Sequence, residues 1–208
     1  MTLSAVLSDV LSERLTRKAD NAALYTALTG TDGLREIGEE LGYSAENGYR
    51  LIRVDRQLNS IGGEEFEIAL VDDAQSSVAY YIKVTLALIP QPTNRNTAHN
   101  RVWRSASHRH SSALRDISQN VLFGYIAQQY DIVLTEGDVS GGGKFYWHRQ
   151  MSRAIEGGFF VSVYDQIAQA FRPVLTQRAL SDIQDKAWST ADHEPLIALV
   201  STVPLSSQ

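Results

Sequence analysis

The residues best suited to chemistry fall in two short segments of the sequence. The first is His108-Arg109-His110, followed directly by Ser111 and Ser112. Cationic nitrogen donors beside serine hydroxyls suit a phosphate or another anion. The two histidines also alternate, and in a strand they would share one face, as metal ligands must. From the residues alone, an anion site, a metal site and a solvated turn all stay open, and no metal ligand set is assigned because no third ligand lies nearby in the sequence.

The second segment contains two acidic residues, Glu136 and Asp138, directly after the β-branched run Asp131–Thr135. A carboxylate at the end of a strand is well placed to act as a general base on a substrate ammonium group. The alternative interpretation is a turn acid that caps the next helix. Three glycines, Gly141-Gly142-Gly143, precede that helix and suit either close approach to a phosphate or a flexible turn.

Composition narrows the function classes. The chain has 208 residues, is 43% hydrophobic and carries a net charge of −5, which predicts a single domain (1–208) and disfavours non-specific nucleic-acid binding. The absence of cysteine excludes disulfides, thiolate zinc sites and cysteine nucleophiles. Neither a signal-peptide pattern nor a membrane-length apolar run occurs, so we expect a cytoplasmic protein with no membrane partner.

Hydrophobic periodicity predicts the elements that position these residues. Residues 1–48 form an N-terminal helical segment, which includes a helix over Thr2–Arg17, another over Asn21–Leu28 and a short one over Gly33–Leu41. From Tyr49 the period changes to that of strands. The stretches Tyr49–Val54, Phe66–Val71 and Val78–Ile89 predict an antiparallel meander.

The remaining pattern alternates strands with helices. It predicts a strand at Arg101–Ser107, a helix from Ser111 or Ser112 to Tyr130, a strand at Asp131–Thr135, a helix at Lys144–Ile155, a strand at Phe159–Tyr164, helical stretches at Gln166–Phe171 and Leu175–Trp188, and a last strand at Leu196–Val203. The strands on either side of the Lys144–Ile155 helix are expected to be neighbours. Together these elements predict a mixed α+β fold with a core at 49–165 and C-terminal helices and a last strand at 166–208.

The segment Asp131–Met151, DIVLTEGDVSGGGKFYWHRQM, resembles a phage and bacterial subgroup of the GNAT superfamily of N-acetyltransferases. The shared features are a polar turn after a strand (Thr135–Asp138), the pair Gly142-Gly143, a helix with Phe145 and Trp147, and a strand that ends in an acid (Val161–Asp165). The similarity covers roughly residues 66–165, about half of the chain, and lies in layout more than in identity.

The resemblance implies a mostly antiparallel central sheet flanked by helices, with a gap between residues 102–107 and 131–135 that holds the pantetheine arm of acetyl-CoA. In the family, a loop of the type Arg/Gln-x-x-Gly-x-Gly/Ala holds the coenzyme diphosphate. The equivalent segment here, Ser105–Ala113, has the basic residue but no glycine. The coenzyme contacts implied in this degenerate loop come from Ser105, Ser107, Arg109, His110, Ser111 and Ser112.

The reaction implied is direct transfer of an acyl group, most simply acetyl, from coenzyme A to a primary amine. Glu136 or Asp138 would be the base, and the resemblance gives Tyr146 the role of protonating the leaving thiolate. The alternative is a catalytically inactive protein of this fold, such as a phage-encoded factor that binds a host protein. The acceptor amine and homo-oligomerisation both stay open.

Overall fold

The computed structural model describes residues 13–44, 48–56, 65–87, 95–135, 143–165, 168–189 and 196–204. The helices are α1 (Lys18–Thr29), α2 (residues 117–129), α3 (Gly143–Glu156) and α4 (Gln177–Trp188). The strands are β1 (Arg35–Glu36), β2 (Tyr49–Arg56), β3 (Glu65–Asp72), β4 (Ser77–Ala87), β5 (Thr97–Arg104), β6 (Asp131–Thr135), β7 (Phe160–Asp165), β8 (Ala170–Pro173) and β9 (Ile197–Ser201). These elements make a mixed α+β fold, as the sequence predicts.

All nine strands of the described residues belong to one mostly antiparallel sheet, in the order β1-β2-β3-β4-β5-β6-β9-β7-β8. Strands β2, β3 and β4 form the predicted meander, with Ile52 opposite Ala69 and Ile68 opposite Ile82. Both faces of β3 are buried, which explains why its sequence is apolar at consecutive positions from Ile68 to Val71. The prediction of the meander is confirmed.

The pairing of β5 with β6 is parallel and short. Three residue pairs form, from Thr97 opposite Asp131 to His99 opposite Val133. Beyond them β5 continues to Arg104 against β4, and β6 continues to Thr135 against β9. After the third pair each strand is paired only with its other neighbour, so the sheet opens between them.

Two apolar cores lie on opposite faces of the sheet. The larger core includes residues of β2–β7 and β9 on one face, together with the buried faces of α2 and α3. The smaller core packs Leu15 and Leu28 against β2, β3, β4 and Trp103. Helix α2 is continuous, with π-helical geometry over Asn120–Ile126. No helix within the described ranges combines the length and hydropathy that a membrane crossing needs.

Several predicted elements differ from the structure. The strands β6 and β7 are not neighbours, because β9 inserts between them and pairs with both. The segment predicted as the helix Gly33–Leu41 instead forms β1 and a 3₁₀ turn at Glu39–Leu41. There the buried side chain of Ile37 and the hydrogen bond from its amide to the Leu51 carbonyl, 2.9 Å, favour strand geometry.

Two further helix predictions are also wrong in detail. The stretch predicted as the helix Gln166–Phe171 includes the start of β8, which pairs with β7 at the sheet edge. Helix α2 begins at Ile117 and not at Ser111 or Ser112, because a 3₁₀ turn and further turns occupy residues 108–116. The predicted helix Thr2–Arg17 lies mostly outside the described residues.

Candidate functional site

A cavity of about 500 Å³ lies beside the end of β5, past the residues of that strand that pair with β6. Its walls are the end of β5, the segment that leads into α2, and one face of α3. The residues that line it are Val102, Trp103, Arg104, Ser111, Leu114, Arg115, Asp116, Ile117, Ser118, Tyr146, Arg149, Gln150 and Arg153. Pockets that hold small ligands are typically of this size.

Helix α3 supplies one wall of the cavity because its sequence has two distinct faces. Trp147, Met151 and Ala154 are fully buried and follow a spacing of four and three residues. The indole Nε1 of Trp147 donates a hydrogen bond to the carbonyl of Leu134, 3.1 Å away. Leu134 directly follows the last β6 residue that pairs with β5, so the indole anchors α3 at the point where the sheet opens.

The cavity is strongly cationic. Among the described residues, four arginines and one aspartate line it, and their charges sum to +3 in a chain whose net charge is −5. Arg153 pairs with Asp116 at 3.2 Å. The other three arginines, Arg104, Arg115 and Arg149, are exposed, and no described carboxylate forms an ion pair with them. They are therefore available to an anionic ligand.

Asp116 occupies an unusual backbone position. Its φ is 54°, in the left-handed region that favours glycine, and it directly precedes α2. Aspartate is among the few residues that adopt this conformation at low cost. The left-handed turn therefore forms without glycine, in a segment (residues 105–116) that contains none.

Two buried polar side chains lie at or next to the cavity, one in its lining and one opposite a lining residue in the sheet. Gln150 lines the cavity, is only 2% exposed, and its Oε1 has no partner among the described residues. Tyr80 lies opposite Arg104 in the sheet and is fully buried. Burial raises the pKa of Tyr80 well above the ordinary tyrosine value, while the Ser118 hydroxyl and the Arg104 guanidinium lower it. An unpartnered buried polar atom such as Gln150 Oε1 is rare enough to call for an explanation.

The structure brings two of the sequence-predicted site residues to this cavity. Tyr146 lines it from α3 with a half-buried side chain, and Ser111 lines it from the segment before α2. Glu136 and Asp138 lie outside the described residues.

The other predicted coenzyme contacts are not among the lining residues. The Ser105 amide donates to the carbonyl of Ala79, 2.9 Å, and the Ser107 amide to Ser105 Oγ, 3.2 Å. Ser112 lines a different depression, beside Gly42 and Tyr43. The roles assigned to these serines from the sequence stay predictions.

Arg109 and His110 contact the meander and not the cavity. Arg109 lies 3.7 Å from Asp72. His110 is buried, and its Nδ1 shares a hydrogen bond of 2.8 Å with the Tyr49 hydroxyl. Across the described part of the chain, no group of three or more His, Asp or Glu side chains could hold a metal ion. The coenzyme contacts assigned to Arg109 and His110 from the sequence stay predictions.

We expect His110 to make the protein less stable in mild acid. Burial and the nearby Arg109 guanidinium lower the pKa of His110 below 6.5, although Asp72 opposes this shift. The unfolded chain therefore takes up a proton at a higher pH than the folded chain. Stability should be full above about pH 6.5 and fall as the pH decreases from there, by less than the limit of about 1.4 kcal/mol per pH unit for one proton.

Denaturant unfolding of the wild type and His110→Gln between pH 7.5 and 5.5 measures this effect. The substitution should reduce the loss of stability on acidification. The matched control is His108→Gln, whose exposed side chain should leave the pH dependence as in the wild type. An equal pH dependence in His110→Gln and the wild type would show that His110 is not responsible.

The sequence did not single out the residues that define the cavity's charge: Arg104, Arg115, Arg149, Arg153 and Gln150. A weak signal existed on α3, where Tyr146, Gln150 and Arg153 repeat at helical spacing. Arginines on an exposed helix face are common, however, and only the fold shows that Arg104 and Arg115 face the same space.

Comparison with known proteins finds no matching family model, no matching curated protein and no matching solved structure. The protein is therefore classified by its fold and by its cavity. It is a mixed α+β protein whose nine-stranded, mostly antiparallel sheet opens beside an arginine-rich cavity.

Proposed function

We propose that this protein is an acyl-CoA-dependent N-acyltransferase, most simply an acetyltransferase, with a GNAT-like fold. The observation that carries the proposal is the short parallel pairing of β5 with β6, which ends at His99 and Val133 and leaves a cavity beyond. The resemblance predicts an opening between these two strands. Further support comes from Tyr146, which lines this cavity. By the resemblance, its hydroxyl is the acid that protonates the leaving thiolate.

An acyl-CoA fits the physical character of the opening. Beyond His99, the edge of β5 that faces β6 has no strand partner among the described residues. Unpaired backbone groups there can bond the amides of a pantetheine arm, which is extended and peptide-like. The cationic wall beyond suits the phosphate end of the coenzyme.

In the proposed reaction the amine nitrogen attacks the thioester carbonyl. A new C–N bond forms, the C–S bond breaks, and the acyl group moves directly to the amine. Glu136 or Asp138 takes the proton that the amine loses, and the Tyr146 hydroxyl donates a proton to the departing thiolate. Tyr146 is then reprotonated from solvent, so each turnover consumes one thioester and releases one free thiol.

Titration calorimetry with acetyl-CoA, combined with a thiol-release assay against a panel of primary amines, tests the proposal. We expect saturable binding of one coenzyme per chain, and thiol release that depends on both amine and enzyme. Coenzyme A without the acetyl group should compete for the same site. Absence of binding at high micromolar acetyl-CoA would contradict the proposal.

A second candidate is a protein of the same fold that has lost catalysis and binds another protein, such as a host factor. The observation in its favour is the segment 105–116, which contains no glycine and uses Asp116 for its left-handed turn. Side chains there limit how closely a diphosphate can approach the backbone. The same titration separates the candidates, because the second predicts no coenzyme binding.

A further inference from the structure

We infer that the cavity between β5 and α3 holds the phosphate groups of its ligand with arginine side chains, Arg115 and Arg149 foremost, and not with backbone amides. The inference rests on the proposed function, in which that ligand is coenzyme A. The positive charge that binds the phosphates then comes from two different walls of the cavity, the segment before α2 and helix α3. The degenerate loop at Ser105–Ala113 is then not the main phosphate contact.

The arrangement of the guanidinium groups supports this assignment. Arg104 enters from the end of β5, Arg115 from the segment before α2, and Arg149 from α3. An anion between these walls would meet planar donors from more than one side. Guanidinium groups form paired hydrogen bonds with phosphate oxygens, which makes arginine well suited to this role. None of the three has an ion-pair partner among the described residues that would compete with a phosphate.

The acidic residue in the lining, Asp116, should affect anion affinity in the opposite direction to the arginines. Asp116 holds Arg153 at 3.2 Å and is the one carboxylate among the described residues that line the cavity. Its negative charge repels an incoming phosphate, and its ion pair with Arg153 makes that guanidinium less available to the phosphate. Removing that charge should therefore strengthen anion binding, whereas removing an arginine should weaken it.

Gln150 provides a second, independent indication of a ligand. Its amide is 2% exposed, and its Oε1 lacks a hydrogen-bond donor among the described residues. On α3 it lies one residue from Arg149 and three from Arg153, and all three line the cavity. A ligand that carries a hydroxyl or amide donor beside its phosphates would satisfy Gln150 at the same time as the arginines.

Calorimetry with three probes separates phosphate recognition from binding of the rest of the coenzyme. The probes are coenzyme A, pantetheine, which lacks the phosphates, and inorganic pyrophosphate. The variants are Arg115→Gln, Arg149→Gln and Asp116→Asn, since asparagine also adopts the left-handed conformation of Asp116. The control is Arg178→Gln, an exposed arginine on α4 that lies outside the cavity lining. Unchanged thermal unfolding of each variant shows that the fold is kept.

We expect each arginine substitution to weaken binding of coenzyme A and of pyrophosphate by about tenfold. Pantetheine affinity should not change. Asp116→Asn should tighten binding of both phosphate probes, and Arg178→Gln should match the wild type. Affinity for the phosphate probes should also fall as salt is added, because partly exposed charges are screened.

The outcomes distinguish this inference from the proposed function. If coenzyme A binds equally to the wild type and both arginine variants, the inference is overturned while the function stands. If acetyl-CoA fails to bind but pyrophosphate binds with the expected pattern, the function fails while the arginine site stands. If none of the probes binds, both are overturned.

Discussion

Replacing Trp147 by alanine should cost about 3–5 kcal/mol of unfolding free energy, a large share of the total for a domain of this size. Trp147 is the largest fully buried side chain among the described residues, and its substitution would leave a cavity between α3 and the sheet. It would also remove the indole donor from the Leu134 carbonyl at the opening of the sheet. Denaturant unfolding measures the loss.

Two further variants on α3 serve to separate these contributions. Trp147→Phe keeps most of the volume but removes the N–H donor, and should cost less than the alanine variant, about 1–3 kcal/mol. Phe145→Ala, at a side chain that is 75% exposed, should cost less than about 1 kcal/mol. If Trp147→Ala is no more destabilising than Phe145→Ala, the packing of α3 on the sheet described above is wrong.

Replacing Tyr146 by phenylalanine should lower kcat for acyl transfer by about 100-fold, with coenzyme affinity unchanged. The hydroxyl is the proposed proton donor to the leaving thiolate, and the ring would still fill its place in the cavity wall. Because the proton is transferred only as the C–S bond breaks, its loss affects the transition state more than binding. Steady-state kinetics with acetyl-CoA and an amine substrate, beside calorimetry of coenzyme binding, measure the two effects separately.

Tyr164→Phe is the matched control for this substitution. Tyr164 lies on β7, packs its ring against Phe171, and is not among the cavity residues. Its substitution should leave both kcat and coenzyme affinity as in the wild type. A Tyr146→Phe enzyme with kcat within about twofold of the wild type would remove Tyr146 from the proposed mechanism.

The parts of the fold that the sequence predicts well are those encoded by local pattern. The meander of β2, β3 and β4 follows from β-branched and apolar runs separated by turn residues such as Asp72-Asp73. The α3 helix follows from its two-faced spacing, and the last strand from its apolar run. In each case the pattern within the segment itself identifies the element.

The parts that the sequence does not predict depend on contacts between distant residues. The position of β9 between β6 and β7 is set by pairs such as Val133 with Leu199 and Ser162 with Leu199, which no local pattern encodes. Similarly, β1 looks helical by spacing, but pairing with β2 and burial of Ile37 override that preference. Tertiary contacts decide these elements.

Two of the predicted site residues lie at the cavity. Tyr146 was found because a resemblance marks its position on α3, and Ser111 because it belongs to a polar run. Arg109, the most prominent cation in that run, lies instead beside Asp72. The run is compact in sequence, but the turns at residues 108–116 direct its side chains to different surfaces. Arg115 and Arg149 meet at the cavity only because α3 crosses the opening of the sheet.

A crystal structure of the protein with coenzyme A tests the central claim most directly. We predict electron density for the pantetheine arm along β5 beyond His99, with the phosphates between Arg115 and Arg149 and the sulfur near Tyr146. Coenzyme bound at another surface, or an opening between β5 and β6 that stays empty at saturating coenzyme, would contradict the claim that this cavity is an acyl-CoA site.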